Sequence, residues 1–164
     1  MATHVLVVVA SKIGTLKYKG GDGMKTILDY LKEHGKYEHD CQGRAFELEL
    51  TDKDIKLRCN DDVYSIQLSQ TGYEVENIVQ TVLEEDHKIE IRFCEECGIP
   101  FDAGFMAGDG DWYSCEECFD DAMDRTYGKS KWRPSEHEGE YGGWYEYLDG
   151  DEWADTSIFY TEWY

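Results

Sequence analysis

Residues 94–118 read CEECGIPFDAGFMAGDGDWYSCEEC, and this stretch decides how the second half of the chain folds. It holds two C-x-x-C pairs, Cys94/Cys97 and Cys115/Cys118, with seventeen residues between them. Two thiolates separated by two residues can bind one ion from a tight turn, and two such pairs are typical of a tetrahedral zinc site. Because four cysteines close the coordination shell, the spacing predicts a structural zinc ion (Zn2+) and not a catalytic one.

The alternative for these cysteines is a pair of disulfides or a set of free thiols. The spacing does not resemble the disulfide framework of a small secreted protein, and in a reducing cytosol it favours metal. The two remaining cysteines, Cys41 and Cys59, are expected to be ordinary reduced thiols. No histidine stands at ligand spacing from another or from the cysteines; the five are His4, His34, His39, His87 and His137.

Turn and helix signals surround the two pairs. Gly98 allows the chain to fold back after the first pair, and residues 108–111 (GDGD) are a hairpin turn signal. Apolar residues at helical spacing follow Cys115, so the second pair is expected at the N-terminus of a helix, where the dipole stabilises thiolates. This order of knuckle, hairpin and helix resembles a treble-clef or zinc-ribbon finger.

The first half of the chain predicts a different body. Residues 1–93 are expected to form a small α+β domain, with two helices packed on one antiparallel sheet. Alternating or β-branched runs predict strands over residues 3–9, 12–18, 44–50, 55–59, 63–68 and 88–93. Helices are predicted over about 24–34 and after Thr71, which forms a capping box with Glu74.

Motifs for catalysis are missing from the sequence. The glycine-rich residues 20–23 precede a helix but lack the Lys-Ser/Thr pair of a phosphate loop. No nucleophile–base motif and no open metal site is visible, which argues against an enzyme. The GDGD turn lacks the spacing and terminal Glu of a calcium-binding EF-hand.

Negative charge is concentrated in the second half. The chain carries 16 basic and 36 acidic side chains, a net charge of −20. Residues 1–93 hold 12 basic and 17 acidic side chains, whereas residues 94–164 hold 4 and 19, a net of −15. Such a potential repels nucleic acid and anionic membrane and attracts basic surfaces. Halophilic adaptation and simple solubility are the alternatives, but neither explains the asymmetry.

The predicted third helix and the segment after it supply candidate partner-binding residues. Like charges four residues apart work against their own helix, which indicates a role outside the fold. Residues 132–164 then hold ten aromatic and nine acidic side chains but one basic side chain, Arg133. About half of these aromatics are expected to cover the zinc core. The candidates for partner binding are Glu116, Glu117, Asp120, Asp121, Asp124, Trp144, Tyr145, Glu146, Asp149, Asp151 and Glu152.

The sequence shows no membrane or export segment. Its longest apolar run, residues 5–10, is too short for a membrane span and lacks a basic leader. A cytoplasmic protein is therefore expected. Two domains are predicted: residues 1–93, and residues 94–164 with the cysteine finger and an acidic aromatic tail.

Residues 93–100 (FCEECGIP), 112–119 (WYSCEECF) and the ending YTEW at 160–163 resemble small four-cysteine proteins of phages and Gram-positive bacteria. This resemblance covers about the last 70 residues. The profile as a whole, small, very acidic and without enzyme motifs, resembles phage-encoded anti-CRISPR proteins. That resemblance implies a zinc-containing Cas9 inhibitor acting in the cytoplasm of a bacterial host.

Two functions of different classes follow. In the first, the chain is a non-enzymatic inhibitor, a DNA mimic whose acidic face binds the basic nucleic-acid surface of a protein such as Cas9. Carboxylates on adjacent helical turns lie roughly 6 Å apart, close to the phosphate spacing along a strand. In the second, the chain is a zinc-ribbon adaptor for host transcription or other machinery. Direct nucleic-acid binding is disfavoured because nucleic-acid-binding modules are basic.

Overall fold

The computed structural model is an α+β fold, as predicted, and describes residues 5–7, 25–41, 44–108, 110, 112–139 and 142–163. The helices there are α1 (Ile27–His34), α2 (Gly72–His87) and α3 (Glu116–Tyr127). The strands are β1 (Val5–Val7), β2 (Lys36–Cys41), β3 (Arg44–Leu50), β4 (Asp54–Cys59), β5 (Asp62–Gln67), β6 (Arg92–Phe93), β7 (Pro100–Phe101), β8 (Ala103–Ala107), β9 (Tyr113–Cys115), β10 (Trp132–Gly139), β11 (Gly142–Asp149) and β12 (Glu152–Glu162). None of the helices in these ranges is long and apolar enough to cross a membrane.

The first sheet has the strand order β1-β5-β4-β3-β2. The predicted meander of β3, β4 and β5 is confirmed, and all its pairings are antiparallel. The sheet is not antiparallel throughout, because β1 runs parallel to β5 with Val5 opposite Val63. The sequence did not predict β2, whose residues KYEHDC lack a clear alternation of polar and apolar side chains. The strand predicted over 12–18 and the glycines at 20–23 lie outside the described residues.

The prediction of a strand over 88–93 was wrong for most of its length. Only Arg92–Phe93 forms a strand, since Lys88 caps α2 in the left-handed conformation with φ 57° and turns the chain. The alternating side chains are nevertheless inward: Ile89 and Ile91 are buried in the first core. The alternation of polar and apolar residues over 88–93 therefore predicted which side chains are buried, but it did not predict strand pairing.

Helices α1 and α2 cover one face of the first sheet. Strand residues Leu48, Leu57 and Ile66 are fully buried there, together with Leu31 of α1 and Val79 of α2. Both helices begin with a capping box, so α1 starts after Thr26 and not at the predicted residue 24. Capping satisfies backbone N–H groups that a buried helix end would otherwise leave unpaired.

The second sheet has the order β10-β11-β12-β8-β9, and all its pairings are antiparallel. The predicted acidic aromatic tail is therefore not an appended tail: β10, β11 and β12 extend the finger's own hairpin. Helix α3 packs on one face through Phe119 and Met123, which contact Phe105 and Ile158 in a second core. The Phe105 and Phe119 rings stack with centroids 3.6 Å apart.

The two halves meet at α1 and β2. The Lys25 backbone N–H donates to the Glu95 carbonyl at 3.2 Å, and the Tyr37 hydroxyl donates to the Pro100 carbonyl at 3.1 Å. The first core continues through Phe93, the residue before Cys94. No spacer separates the halves at the predicted boundary between residues 93 and 94, so the knuckle is built directly on the first domain.

Candidate metal centre

The first cysteine pair lies in the tight turn between β6 and β7. Phe93 pairs with Pro100 across this two-stranded ribbon. The Cys94 N–H donates to the Ile99 carbonyl at 2.9 Å, and the Gly98 N–H donates to the Cys94 carbonyl at 2.8 Å. Gly98 has φ 79°, a conformation that favours glycine. The turn brings both thiols to one side of the chain, as the C-x-x-C-G pattern predicted.

The second pair lies where β9 becomes α3. Cys115 is the last residue of β9 and the N-cap of the helix, and Cys118 lies in the first turn. The β8–β9 hairpin returns the chain to this point, with Gly104 opposite Cys115. The predicted order of knuckle, hairpin and helix is therefore present, and two thiols stand at a helix N-terminus, where free N–H groups favour negative charge.

The four sulfurs form one cluster. The Sγ atoms of Cys94, Cys97, Cys115 and Cys118 all lie within 4.8 Å of one another. The Cys97 and Cys115 Sγ atoms are 3.8 Å apart. Zn–S bonds of about 2.3 Å in a tetrahedron place sulfurs about 3.8 Å apart, so this pair has the separation that a four-coordinate ion requires. None of the four cysteines forms a disulfide.

The protonation states of the four cysteines are coupled. Hydrogen bonds from Cys115 and Cys97 lower the pKa of Cys94, whereas hydrogen bonds to Cys115 and Cys94 raise the pKa of Cys97. The pKa of Cys118 is raised to about 12, first by burial and then by the charge of Cys94. One thiolate therefore suppresses the ionisation of its neighbours. Metal ligation requires each sulfur to lose its proton, and a bound cation would offset the repulsion among four thiolates.

Apolar side chains shield the cluster. Cys94 is 0% exposed and Cys115 is 5% exposed. Phe101, Tyr113 and Trp163 pack around the cysteines, and the Arg92 guanidinium lies 5.2 Å from the centroid of the Trp163 ring. Two of the four cysteines are therefore buried, whereas Cys97 and Cys118 are partly exposed.

About half of the C-terminal aromatic rings were expected to cover the cysteines, but most of those described lie elsewhere. The rings of Trp132, Tyr145 and Tyr160 pack against the second core around Phe119. Among the described residues of this segment, Trp163 is the ring that packs against the cysteine cluster. The expectation failed because α3 carries its own apolar face, which needs a second core, and nothing in the residue types distinguishes the two destinations.

His39, His87 and Cys59 have contacts inside the first half of the chain. Cys59 is buried in the first core. The His87 ring is 4% exposed and its Nε2 lies 2.9 Å from the Tyr64 hydroxyl. His39 Nδ1 lies 3.0 Å from the Tyr37 hydroxyl, and its Nε2 faces Asp102 at 3.7 Å across the junction. The side chains of His4, Cys41 and His137 lie outside the described residues.

Seven of the candidate partner-binding acids are exposed. On α3 the exposed acids are Glu116, Glu117, Asp120 and Asp121. On the turn between β11 and β12 they are Asp149, Asp151 and Glu152. Glu116 also accepts a hydrogen bond from the Tyr160 hydroxyl at 2.8 Å.

The remaining candidates have intramolecular contacts that the sequence did not indicate. Asp124 accepts a hydrogen bond from Trp132 Nε1 at 2.7 Å, so its place on α3 has a reason inside the fold. Tyr145 packs against the second core. Glu146 is 12% exposed and pairs with Arg133. Trp144 lies 5.3 Å from the ring of Phe159, on the sheet face away from α3.

Comparisons with known proteins identify no relative. No protein-family model matches the chain, and no curated protein and no solved structure matches it significantly.

Proposed function

We propose that the four cysteines hold one zinc ion with a structural role, in a treble-clef-like finger. The sulfur spacing fits a tetrahedral ion, and a shell of four cysteine thiolates leaves no position open for a substrate or water. Zinc links the knuckle on the first domain to the N-terminus of α3. The ion therefore holds the second sheet and its charged surface in a defined position.

We further propose that the chain is a non-enzymatic inhibitor of the anti-CRISPR type. In this role the acidic second half binds the basic nucleic-acid channel of Cas9 and blocks access of nucleic acid. The observation that carries the proposal is charge placement: residues 94–164 have a net charge of −15, and seven of the acids on α3 and the β11–β12 turn are exposed. Four thiolates around one divalent ion add two further negative charges.

The positions of the acids on α3 indicate which of them can contact the partner. Glu117, Asp120 and Asp121 project from the side of α3 opposite its buried face of Phe119, Ala122 and Met123. Exposed carboxylates keep most of their hydration and contribute long-range attraction. Binding driven by them is fast and weakens steeply as salt increases.

The experiment is a binding and displacement assay with Cas9. Full-length zinc-loaded protein is titrated onto guide-loaded Cas9 at low and at high salt, and displacement of target DNA is followed in a mobility-shift gel. We expect binding at low salt, loss of DNA binding as the protein is added, and at least a roughly tenfold weakening at high salt.

Charge-neutralised variants distinguish binding through the α3 acids from binding that depends only on the total charge of the chain. The variant E117Q/D120N/D121N should weaken binding about tenfold, whereas D52N/D61N/E84Q removes three exposed acids from the first domain and should leave it unchanged. Absence of Cas9 binding at low salt overturns the inhibitor proposal. Binding of a host protein without displacement of nucleic acid would instead support the adaptor role.

A further inference from the structure

We infer that the face of the second sheet opposite α3 binds arginine or lysine side chains of a basic protein segment. This inference rests on the proposed function and names a second contact surface of the acidic half, on the sheet face opposite the α3 acids. The surface, here called the aromatic–acidic face, is formed by Met106, Trp144, Trp153, Asp155 and Phe159.

Strand alternation separates the two faces of the sheet. Successive side chains of a strand point to opposite sides. Phe105, Tyr145 and Tyr160 pack against α3 in the second core. Their sequence neighbours Met106, Trp144 and Phe159 therefore point to the other side, and none of these three is fully buried.

The three outward side chains form one apolar row across adjacent strands. Trp144 of β11 is opposite Phe159 of β12, and Phe159 is opposite Met106 of β8. The Trp144 and Phe159 rings are 5.3 Å apart. Leu148 opposite Trp153 adds a second apolar pair near the end of the hairpin, where the Trp153 side chain is 37% exposed. Large apolar groups left at a surface mark interaction sites.

One basic side chain of the chain itself, Arg133, packs on this face and indicates which groups the face can bind. The Arg133 guanidinium lies 3.8 Å from the centroid of the Trp153 ring and pairs with Glu146. Ring and carboxylate thus act together on one guanidinium. Stacking of this kind favours arginine, because its planar and weakly hydrated group gains more from a ring than an ammonium does.

A further carboxylate and two further rings lie on the same face beside this ion pair, since Asp155 is opposite Glu146 across β11 and β12. Asp155 is exposed and lies between Trp153 and Phe159 along β12. Among the residues that the structure describes, no basic side chain stacks on the rings of Trp144 or Phe159. A partner's guanidinium placed over these rings would have Asp155 as its counter-ion, in the way that Arg133 has Glu146.

Geometry and charge determine the partner's chemistry. Arg133 is the one basic side chain between residues 132 and 164, so the surroundings of the face are strongly negative. Trp144 and Leu148 are four residues apart on β11, which corresponds to roughly 13 Å along a strand. An extended segment with basic residues about four positions apart matches this length. Nucleic acid does not match it, because phosphates would meet carboxylates.

The test compares two exposed aspartates that differ in the face they occupy. Binding of a hexa-arginine peptide to the full-length zinc-loaded protein is measured by isothermal titration calorimetry. D155N should weaken binding about fivefold and W144L about as much, because an exposed ion pair and a cation–ring contact are each worth a modest energy. D121N removes the same charge from α3 and should change affinity less than about twofold. Circular dichroism and zinc content confirm that each variant folds.

The outcomes separate this inference from the proposed function. If D155N and D121N weaken peptide binding equally, the carboxylates act only through their common field and the aromatic–acidic face is not a site. If Cas9 binding is lost in D121N but kept in D155N, the inhibitor role stands and this inference is wrong. If the peptide binds as expected but Cas9 does not bind at low salt, the face stands and the inhibitor role is wrong.

Discussion

Gly98 lies against the carbonyl group of Thr26, so close that a Cβ on Gly98 would clash with the Thr26 carbonyl oxygen and carbon. Gly98 belongs to the turn of the first cysteine pair, and Thr26 is the N-cap of α1. The knuckle thus packs against the start of a helix of the first domain. This contact leaves no space for a side chain at Gly98. The turn of the first cysteine pair and the start of α1 are therefore packed directly against each other.

Replacement of Gly98 by alanine should therefore cost more than backbone strain alone. Gly35 is the matched control: its φ is 80° against 79° for Gly98, but no heavy atom lies within 4 Å of its Cβ position. We expect G35A to lower the free energy of unfolding by about 1 kcal/mol, from the left-handed conformation alone. G98A should cost at least about twice as much and weaken zinc binding. Urea unfolding and zinc competition with a chelator measure the two effects. Equal losses of unfolding free energy in G98A and G35A would show that the contact between Gly98 and Thr26 tolerates a side chain.

Loss of one zinc ligand should unfold the second half selectively. C115S removes a buried sulfur of the cluster, whereas C59S removes a buried sulfur of the first core, outside the cluster. Zinc measured by mass spectrometry should be one ion per chain for the native protein and for C59S, and none or weakly bound for C115S. Because a structural zinc site contributes on the order of 10 kcal/mol, C115S and chelator-treated protein should lose the near-ultraviolet signal of the second core. A folded second half after complete chelation contradicts the structural role.

The largely buried carboxyl of Glu76 should make stability depend on pH. Glu76 accepts the Ile27 N–H at 2.9 Å, and burial raises its pKa to about 8 through the unfavourable loss of hydration. A raised pKa stabilises the folded chain at low pH, and that contribution is lost as pH rises from the ordinary value of 4.5 through about 8. E76Q keeps an acceptor for Ile27 without ionising. It should gain stability relative to the native chain over this interval, by at most about 5 kcal/mol at about 1.4 kcal/mol per pKa unit.

Urea unfolding near pH 5 and near pH 8 measures this difference. The control is E74Q, which changes an exposed carboxylate in the capping box of α2. A constant difference between E76Q and the native chain at both pH values would show that Glu76 is hydrated in the folded protein.

Asp124 should behave as a structural residue and not as a partner contact. Its carboxylate accepts the Trp132 indole N–H at 2.7 Å, and this bond ties α3 to β10. D124A leaves the indole without its acceptor and should lower the free energy of unfolding by about 2 kcal/mol. D121A, three residues earlier on the exposed surface, should change stability by less than about 0.5 kcal/mol. If D124A is as stable as D121A, the bond contributes little and Asp124 returns to the set of partner candidates.

Local signals in the sequence were enough for the cysteine site. The C-x-x-C pairs, Gly98 and the helical pattern after Cys115 act over a few residues, and such short-range geometry depends little on the rest of the chain. The gathering of the four cysteines could therefore be predicted without a structure. The capping box at Thr71 and the meander from Arg44 onward were predictable for the same reason.

Tertiary contacts decided the positions and partners of individual side chains, which composition and periodicity could not predict. Whether Tyr145 covers the cysteine cluster or the second core depends on which residues contact it from distant parts of the chain. Whether Asp124 is a free charge or an acceptor depends on Trp132, and the difference is one hydrogen bond. The sequence by itself determined which four cysteines gather, because the spacing within each pair is local. Only the tertiary structure decided which aromatic rings are core and which form the outward face, because both sets have the same residue types and differ by one position along a strand.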